Sequence, residues 1–150
     1  MTTTENNEQI SRRLTEEVFE QKNYDVIDEL VAEDFVLHDP SMPEPVRGRE
    51  DYREMAEMGA SIVDGRIEID QLIAADDWVV SRWTQTGTHV GKMGNIEPTN
   101  EEVTITGIDI NRFEDGKLAE TWSEVNLLNM LMQVGAVPED LFSPEPSAAD

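Results

Sequence analysis

The spacing of apolar residues at the start of the chain is typical of amphipathic helices. Ile10, Leu14 and Val18 are four residues apart, and charged side chains fill most of the positions between them. Asp25 can cap a short second helix over residues 26–31. The beginning of the chain is therefore predicted to form two helices.

A proline-containing loop precedes a third predicted helix. Residues 35–38 are a short strand candidate, and residues 39–48 hold three prolines, which stiffen the backbone. After this loop, Tyr52, Met55 and Ala56 share one side of a helical pattern. The third helix is expected to pack this side against the rest of the protein.

The remainder of the chain predicts a sheet. Segments rich in Val, Trp and Thr, with β-type alternation, cover residues 66–73, 78–89, 103–113 and 118–125. Asp115-Gly116 is a dipeptide typical of a two-residue hairpin turn. A last helix is predicted over residues 126–134, ended by Gly135.

Helices followed by consecutive antiparallel strands predict an α+β fold. The helices would pack on one face of a curved, mixed or antiparallel sheet, forming a cone whose inside is part core and part cavity. The length of 150 residues fits one domain, expected over residues 8–138. Residues 1–7 are predicted to be disordered, and residues 139–150 to form a flexible acidic tail.

The hairpin turn predicts which residues oppose each other on the last two strands. Counting outward from Asp115-Gly116 places Phe113 opposite Leu118, Asn111 opposite Glu120, and Asp109 opposite Trp122. The loop at 90–100 gives a looser register, in which Asp109 lies near Trp83. The prediction is a layer of Trp83, Asp109 and Trp122, with His89, Asn111 and Glu120 close by.

This layer is predicted to face the inside of the cone. The alternate positions of the same strands are rich in Thr and include Arg82 and Arg112, which suits a face turned to water. Burial beside the tryptophans should raise the pKa of Asp109 and make it an acid or base near neutral pH. Alternatively, Asp109 is a structural residue held by indole or backbone donors.

The two histidines are further candidates for the cavity. His89 shares the predicted face of Trp83, and His38 follows a strand beside the proline loop, where it would line the cavity mouth. Each could equally be a hydrogen-bonded structural residue. A metal site needs three or four converging ligands, so two histidines far apart in sequence argue against one.

Charge and composition narrow the possible functions. The chain has 33 Asp and Glu, 11 Lys and Arg and no Cys, for a formal net charge of -22. This charge argues against binding to nucleic acid or anionic membranes. The missing Cys excludes disulfides and thiolate chemistry. Without a signal-peptide pattern or a membrane-length apolar run, the protein is expected to be soluble and cytoplasmic.

The chain resembles the SnoaL-like polyketide cyclases, also described as ester cyclases, of the nuclear transport factor 2-like superfamily. One similar stretch is Val103-Thr-Ile-Thr-Gly-Ile-Asp-Ile110, which contains Asp109. The other similar stretches, in the same order and spacing, are residues 30–40, 48–52, 82–89, 96–99 and 112–122. Two positions depart from the family pattern, with Asn111 where aromatic residues are frequent and Thr121 where His is frequent.

This resemblance implies a cone-shaped α+β fold, a homodimer, and a deep pocket for a small apolar ligand with no metal or cofactor. It implies ring closure by intramolecular aldol condensation, with Asp109 as the acid/base. His89 and His38 match family pocket positions. Indole N–H groups and His89 could hold the enolate, and Tyr52, Trp83, Trp122, Asn111 and Glu120 are the further candidates for ligand binding.

Three functions stay open at this point. The first is a cyclase or isomerase acting on a small apolar carbonyl compound. The second is a non-catalytic small-molecule binding protein of the same fold. The third is an epoxide hydrolase-like enzyme, which would need more carboxylate and arginine partners in the pocket.

The acidic composition yields a prediction about salt. Only three of the 11 basic residues are Lys, and an acidic, Lys-poor surface is typical of cytosolic proteins from salt-loving microbes. At 1 M salt the Debye length falls to about 3 Å, which screens the self-repulsion of the carboxylates. We therefore expect a higher melting temperature in 3 M than in 0.1 M KCl. Equal melting temperatures would count against halophilic adaptation.

Overall fold

The computed structural model describes residues 1–144 of the chain. Helix α1 spans Thr3–Arg13 and continues with π-type hydrogen bonding through Leu14–Glu20. A 3-10 turn at Tyr24–Val26 leads into the single-turn helix α2, Ile27–Leu30. Helix α3 is Gly48–Ile62, and helix α4 is Leu127–Gln133. No helix among these residues is long and apolar enough to cross a membrane.

The N-terminal residues form part of a helix, which corrects the prediction that residues 1–7 are disordered. The Thr2 hydroxyl oxygen accepts a hydrogen bond from the Glu5 backbone N–H at 3.1 Å, which caps α1. Asn7 is buried, and its side-chain amide donates to the Asp76 carbonyl at 3.2 Å. The predicted tail overlaps the described part only at 139–144, and residues 145–150 lie outside it.

Within residues 1–144, the strands β1 to β6 are Val31–His38, Val46–Arg47, Val63–Ala75, Trp78–His89, Glu102–Glu114 and Lys117–Val125. These strands form one curved sheet in the order β2-β1-β6-β5-β4-β3. The β1–β6 pair is parallel and the other neighbours in this sheet are antiparallel, so the sheet is mixed. The short strand β2 lies within the predicted proline loop, whose residues gave no strand pattern.

Two glycines allow β3 and β4 to approach closely at the end of the sheet. Gly65 opposes Gly87 in this hairpin, and a Cβ atom on either residue would collide with a backbone carbonyl of the other strand. Glycine is therefore required at both positions.

The helices cover the concave face and bury most of the apolar residues. The larger core includes Val18, Ile27 and Phe35, which are fully buried between the helices and β1. A second core around Val103 and Met130 lies where α4 packs on β5. A cavity remains on the concave side and touches both cores. The architecture is the predicted α+β cone with an unclosed sheet.

The hairpin turn between β5 and β6 forms as predicted. Asp115 and Gly116 both have positive φ, of 51° and 75°, as a two-residue hairpin turn of type I′ requires. Glu114 opposes Lys117 and Phe113 opposes Leu118. The pairing changes immediately afterwards, because Arg112 opposes Glu120 and Ala119 has no partner. Ala119 is thus the extra residue of a β-bulge.

The bulge corrects the predicted register. Asp109 opposes Ser123 rather than Trp122, and Asn111 opposes Thr121 rather than Glu120. A slip of one residue turns every later side chain to the other face of the sheet. Strand β6 therefore presents Thr121 and Ser123 on the concave face.

The register between β4 and β5 also differs from the predicted one, by two residues. Asp109 opposes Ser81, and Trp83 opposes Gly107, because the backbone of His89 pairs with residues 100 and 101 rather than 103. An even shift keeps each side chain on its predicted face. Trp83, Asp109 and Asn111 therefore remain on the concave side, as predicted.

Candidate active site

The concave face of the sheet and the helices enclose a cavity of about 350 Å³. This volume suits a small organic molecule. Most of the wall is apolar, and representative residues are Leu14, Phe19, Met55, Ile67, Ile105 and Met130. Within the described residues, the charged groups in the lining are Lys22, Asp39 and Asp109.

The polar part of the wall is built from two adjacent rows across the sheet. The first row is Ser81, Asp109 and Ser123, on β4, β5 and β6 respectively. In the next row, Asn111 of β5 opposes Thr121 of β6. All five side chains line the cavity, and together they form one polar patch of its wall.

Asp109 is the carboxylate at the centre of this patch. The Ser123 hydroxyl donates to its Oδ1 at 2.6 Å. Burial raises the pKa of Asp109 above its ordinary value of 3.8; the hydrogen bond from Ser123 and the nearby Trp83 indole oppose that rise, and the charge of Asp39 adds to it. A carboxyl group with a raised pKa in an apolar cavity can both take up and return a proton.

Trp83 lies beside Asp109 because Gly107 makes room for it. A Cβ atom at Gly107 would overlap the six-membered ring of Trp83, so the indole can lie against β5 only if this residue is glycine. The indole N–H is buried and is close enough to lower the pKa of Asp109, but it makes no hydrogen bond of good geometry. Trp83 thus gives the carboxylate an apolar, weakly donating neighbour.

Tyr52 lines the cavity from α3. Its ring packs edge-on against Phe35, with centroids 5.1 Å apart, and against Phe19 at 6.1 Å. Burial and, secondarily, the negative charge of Asp109 raise the pKa of the Tyr52 phenol. The phenol therefore stays protonated and can act as a hydrogen-bond donor.

The structure does not bring His89 to the cavity wall. Its side chain is fully buried, and Nδ1 accepts a hydrogen bond from the Thr99 backbone N–H at 3.2 Å. This bond leaves the proton on Nε2, which is buried and has no hydrogen-bond partner among the described residues. The family pocket position therefore corresponds here to a histidine that anchors the loop after β4.

His38, Glu120 and Trp122 lie on the convex face, which corrects their predicted place in the pocket. His38 Nε2 is 2.7 Å from the Glu120 Oε2, and the His38 ring stacks on Trp122 at 5.3 Å. The bulge explains the positions of Glu120 and Trp122, because it turns their side chains to the convex face. His38 is outward because its neighbour Leu37 takes the buried position on β1.

Sequence reasoning missed three polar residues of the wall, namely Ser81, Thr121 and Ser123, and the contact of Gly107 with Trp83. A regular hairpin register places Thr121 and Ser123 on the outer face, and no feature of the sequence predicts the bulge that turns them inward. The sequence does contain an indication of the contact at Gly107, since a glycine within a long strand often marks a close approach of another group. Among residues 1–144, no group of three or more His, Asp or Glu side chains converges as a metal site would require.

A family model describes this chain over most of its length. The model of the SnoaL-like polyketide cyclases matches residues 9–134. The chain belongs to the SnoaL-like polyketide cyclase family. No curated protein sequence matches it.

Solved structures of other proteins share the fold. A protein assigned to the SnoaL-like polyketide cyclases from Jannaschia sp. CCS1 superimposes with a TM-score of 0.82 at 19% identity, over 92% of this chain and 98% of that one. TsrD from Streptomyces laurentii gives a TM-score of 0.80 at 26% identity, over 91% and 100% of the two chains. The fold is thus the nuclear transport factor 2-like cone.

A more distant neighbour is described as an epoxide hydrolase. The LEH-like epoxide hydrolase of M. tuberculosis gives a TM-score of 0.69 at 12% identity, over 90% of this chain and 93% of that one. At this identity the similarity shows the fold alone, because unrelated chemistries occur on the same fold.

The raised pKa of Asp109 predicts how the stability of the protein depends on pH. The folded chain holds this proton more tightly than the unfolded chain, so the group stabilises the fold below the ordinary value of 3.8. That contribution is lost as the pH rises through the raised pKa. Asp109→Asn removes the titration and still accepts from Ser123, so at pH 7 it should melt a few degrees higher than the wild type.

The comparison needs melting curves at several pH values and a control. The advantage of Asp109→Asn should shrink towards zero below pH 3.8, where the wild-type carboxyl is neutral. Glu124→Gln, on the exposed face of the same sheet, should change melting little at any pH. A variant Asp109→Asn that melts below the wild type at pH 7 would contradict the buried-carboxylate interpretation.

Proposed function

We propose that this protein is a cyclase or isomerase that uses Asp109 as a general acid/base on a small apolar carbonyl compound. The observation that carries the proposal is a buried carboxylate with a raised pKa in the wall of a mostly apolar cavity. Catalytic acids and bases are typically tuned in this way. Membership of the SnoaL-like family supports the same chemistry.

The reaction begins with proton transfer. The ionised Asp109 takes a proton from the carbon next to the carbonyl group, and the C–H electron pair forms a C=C bond while the carbonyl π pair moves to oxygen. The enolate then attacks a second carbonyl carbon of the same molecule, as in an aldol condensation, or it is reprotonated at another carbon, as in an isomerisation. In both cases the proton on Asp109 is returned to the product.

The apolar wall supports this assignment because water competes with proton transfer and ring closure. Trp83 and Tyr52 would contact the apolar body of the ligand. Ser123 would keep Asp109 in position through its 2.6 Å hydrogen bond. The proposed reaction requires no cofactor.

The other candidate functions have weaker support. An epoxide hydrolase-like enzyme would need further carboxylate and arginine groups at the polar patch, and among the described residues no arginine lines the cavity. A binding protein without catalysis would use the same cavity. The experiment that separates it from an enzyme is removal of the Asp109 carboxylate.

Proton exchange tests the proposal without knowledge of the natural substrate. α-Tetralone is a small bicyclic ketone whose protons next to the carbonyl exchange for deuterium in D₂O, which NMR measures. The wild type should accelerate the exchange, with a rate that rises with pH as Asp109 ionises, at a midpoint above 3.8. Asp109→Asn should reduce the rate by about 100-fold or more, while tetralone affinity stays within about tenfold.

The matched control for this experiment is Glu124→Gln, which removes a carboxylate from the opposite face and should retain wild-type exchange. If Asp109→Asn exchanges as fast as the wild type, Asp109 is not the base. If the wild type binds tetralone without accelerating exchange, the protein is a binding protein.

We also propose that the protein forms a homodimer through the convex face of the sheet. Four large apolar residues are exposed there on β4, β5 and β6, namely Trp78, Ile108, Ile110 and Trp122. The rings of Trp78 and Trp122 are 5.9 Å apart, so the patch is continuous. Contiguous exposed apolar surface typically marks a protein interface.

Light scattering tests the dimer. The wild type should have about twice the chain mass of 16.9 kDa, and Ile110→Glu should shift it to the monomer, because a buried unpaired charge is costly. Thr104→Glu, which adds the same charge on the same strand four residues beyond Ile108, should remain dimeric. A monomeric wild type would overturn the proposal.

The surface supports one more proposal, a cytoplasmic setting in concentrated salt. Of the acidic residues the structure describes, only Asp39 and Asp109 line the cavity, so the charge is concentrated on other surfaces. The comparison of melting temperatures in low and high KCl tests this setting.

A further inference from the structure

Asn111 and Thr121 form a buried hydrogen-bonded pair in the cavity wall, one row from Asp109. Their exposed fractions are 8% and 3%, and the Thr121 hydroxyl donates to the Asn111 Oδ1 at 2.8 Å. Both residues line the cavity. The proposed proton transfer gives neither of them a role so far.

The hydrogen bond from Thr121 decides which way the Asn111 amide points. A side-chain amide has one oxygen that accepts and one NH₂ group that donates. Because Thr121 engages the oxygen from β6, the NH₂ group is directed away from that strand. On the opposite side Asn111 faces Val79 of β4, whose side chain has no acceptor. The amide thus has donor capacity left over in the wall of an apolar cavity.

We propose that the Asn111 amide is the donor that binds the substrate carbonyl oxygen, and that Thr121 is a positioning residue that fixes its orientation. This inference rests on the proposed function at Asp109. Asp109 and Asn111 are alternate residues of β5, so their side chains emerge on one face about 7 Å apart. A ketone whose oxygen accepts from Asn111 at about 2.9 Å brings its neighbouring carbon towards Asp109.

The chemistry of the pair suits the oxygen of an enolate. When Asp109 removes the proton, negative charge develops on that oxygen, and a fixed donor in a dry site stabilises it. A neutral amide does so without placing a positive charge near Asp109, which would lower the pKa of the base. Thr121 holds the amide in place before the reaction, so little reorganisation is needed.

The other donors in the wall are engaged differently. The Ser123 hydroxyl already donates to Asp109, and the Trp83 indole is buried against the same carboxylate. His89, which was expected to help hold the enolate, lies outside the cavity wall. Tyr52 and Ser81 are the remaining competitors at the polar patch, because the protonated phenol and the Ser81 hydroxyl also line the cavity.

The test uses α-tetralone labelled with ¹³C at the carbonyl, and tetralin as the analogue without oxygen. Asn111→Leu removes the donor at similar volume, Thr121→Val removes the hydroxyl at similar shape, and Thr121→Ser retains the hydroxyl. The readouts are the ¹³C chemical shift of the bound carbonyl, the affinity for both compounds, and the rate of proton exchange. Thermal melting checks that each variant is folded.

Asn111→Leu should move the carbonyl signal towards its position in an apolar solvent. It should weaken tetralone binding by about tenfold and change tetralin binding less than twofold. Exchange should fall by about 100-fold or more. Thr121→Val should shift the carbonyl signal in the same direction to a smaller extent, and Thr121→Ser should restore it. A purely structural role for Thr121 would leave the carbonyl signal unchanged.

The experiment distinguishes a failure of Asp109 as the base from a failure of Asn111 as the donor. If Asp109→Asn abolishes exchange while Asn111→Leu leaves the carbonyl signal and exchange at wild-type values, Asp109 is the base and Asn111 is not the donor. A change of the signal in Tyr52→Phe or in Ser81→Ala, but not in Asn111→Leu, would assign the donor to the substituted residue. A wild type that binds tetralone no better than tetralin would also overturn the inference. The carbonyl signal needs no turnover, so it tests Asn111 even if Asp109 is not catalytic.

Discussion

The β-bulge at Ala119 determines the chemistry of the cavity. Without it, the regular hairpin register would turn Glu120 and Trp122 inward and Thr121 and Ser123 outward. The cavity would then hold a second carboxylate near Asp109, and each negative charge would make the other more costly. The bulge replaces that pair of acids with two hydroxyl donors, and both hydroxyls are engaged by residues of β5.

The concave side surrounds the buried carboxylate of Asp109 with a mostly apolar wall. The surrounding apolar side chains raise the pKa of Asp109, whereas Ser123 and Trp83 limit that rise by stabilising the charged form. Gly107 is part of the same arrangement, because it allows the indole to lie against the strand that carries Asp109. The cost of burying the carboxylate is carried by the packing of the rest of the fold, as expected of functional sites.

The two faces of the sheet have separate tasks. The concave face holds the cavity, and the convex face carries the apolar patch around Ile110 and Trp122 together with the His38–Glu120 pair. Strands β4, β5 and β6 contribute to both faces, since side chains alternate along each strand. A substitution on the convex face can therefore test association without touching the polar patch of the cavity.

Local pattern by itself determined most of this structure. Periodicity placed the helices and strands, Asp115-Gly116 fixed the hairpin turn, and counting in steps of two brought Asp109, Asn111 and Trp83 to one face. A register shift of two residues leaves each side chain on the same face of the sheet. The looser loop between β4 and β5 therefore did not affect these three assignments. Only tertiary structure decided the partners on β6, because one unpaired residue at Ala119 inverts the alternation and leaves no mark in composition or spacing. It also decided that His89 is enclosed beside Thr99 and that His38 stacks on Trp122. Such contacts join distant parts of the chain, and no local pattern encodes them.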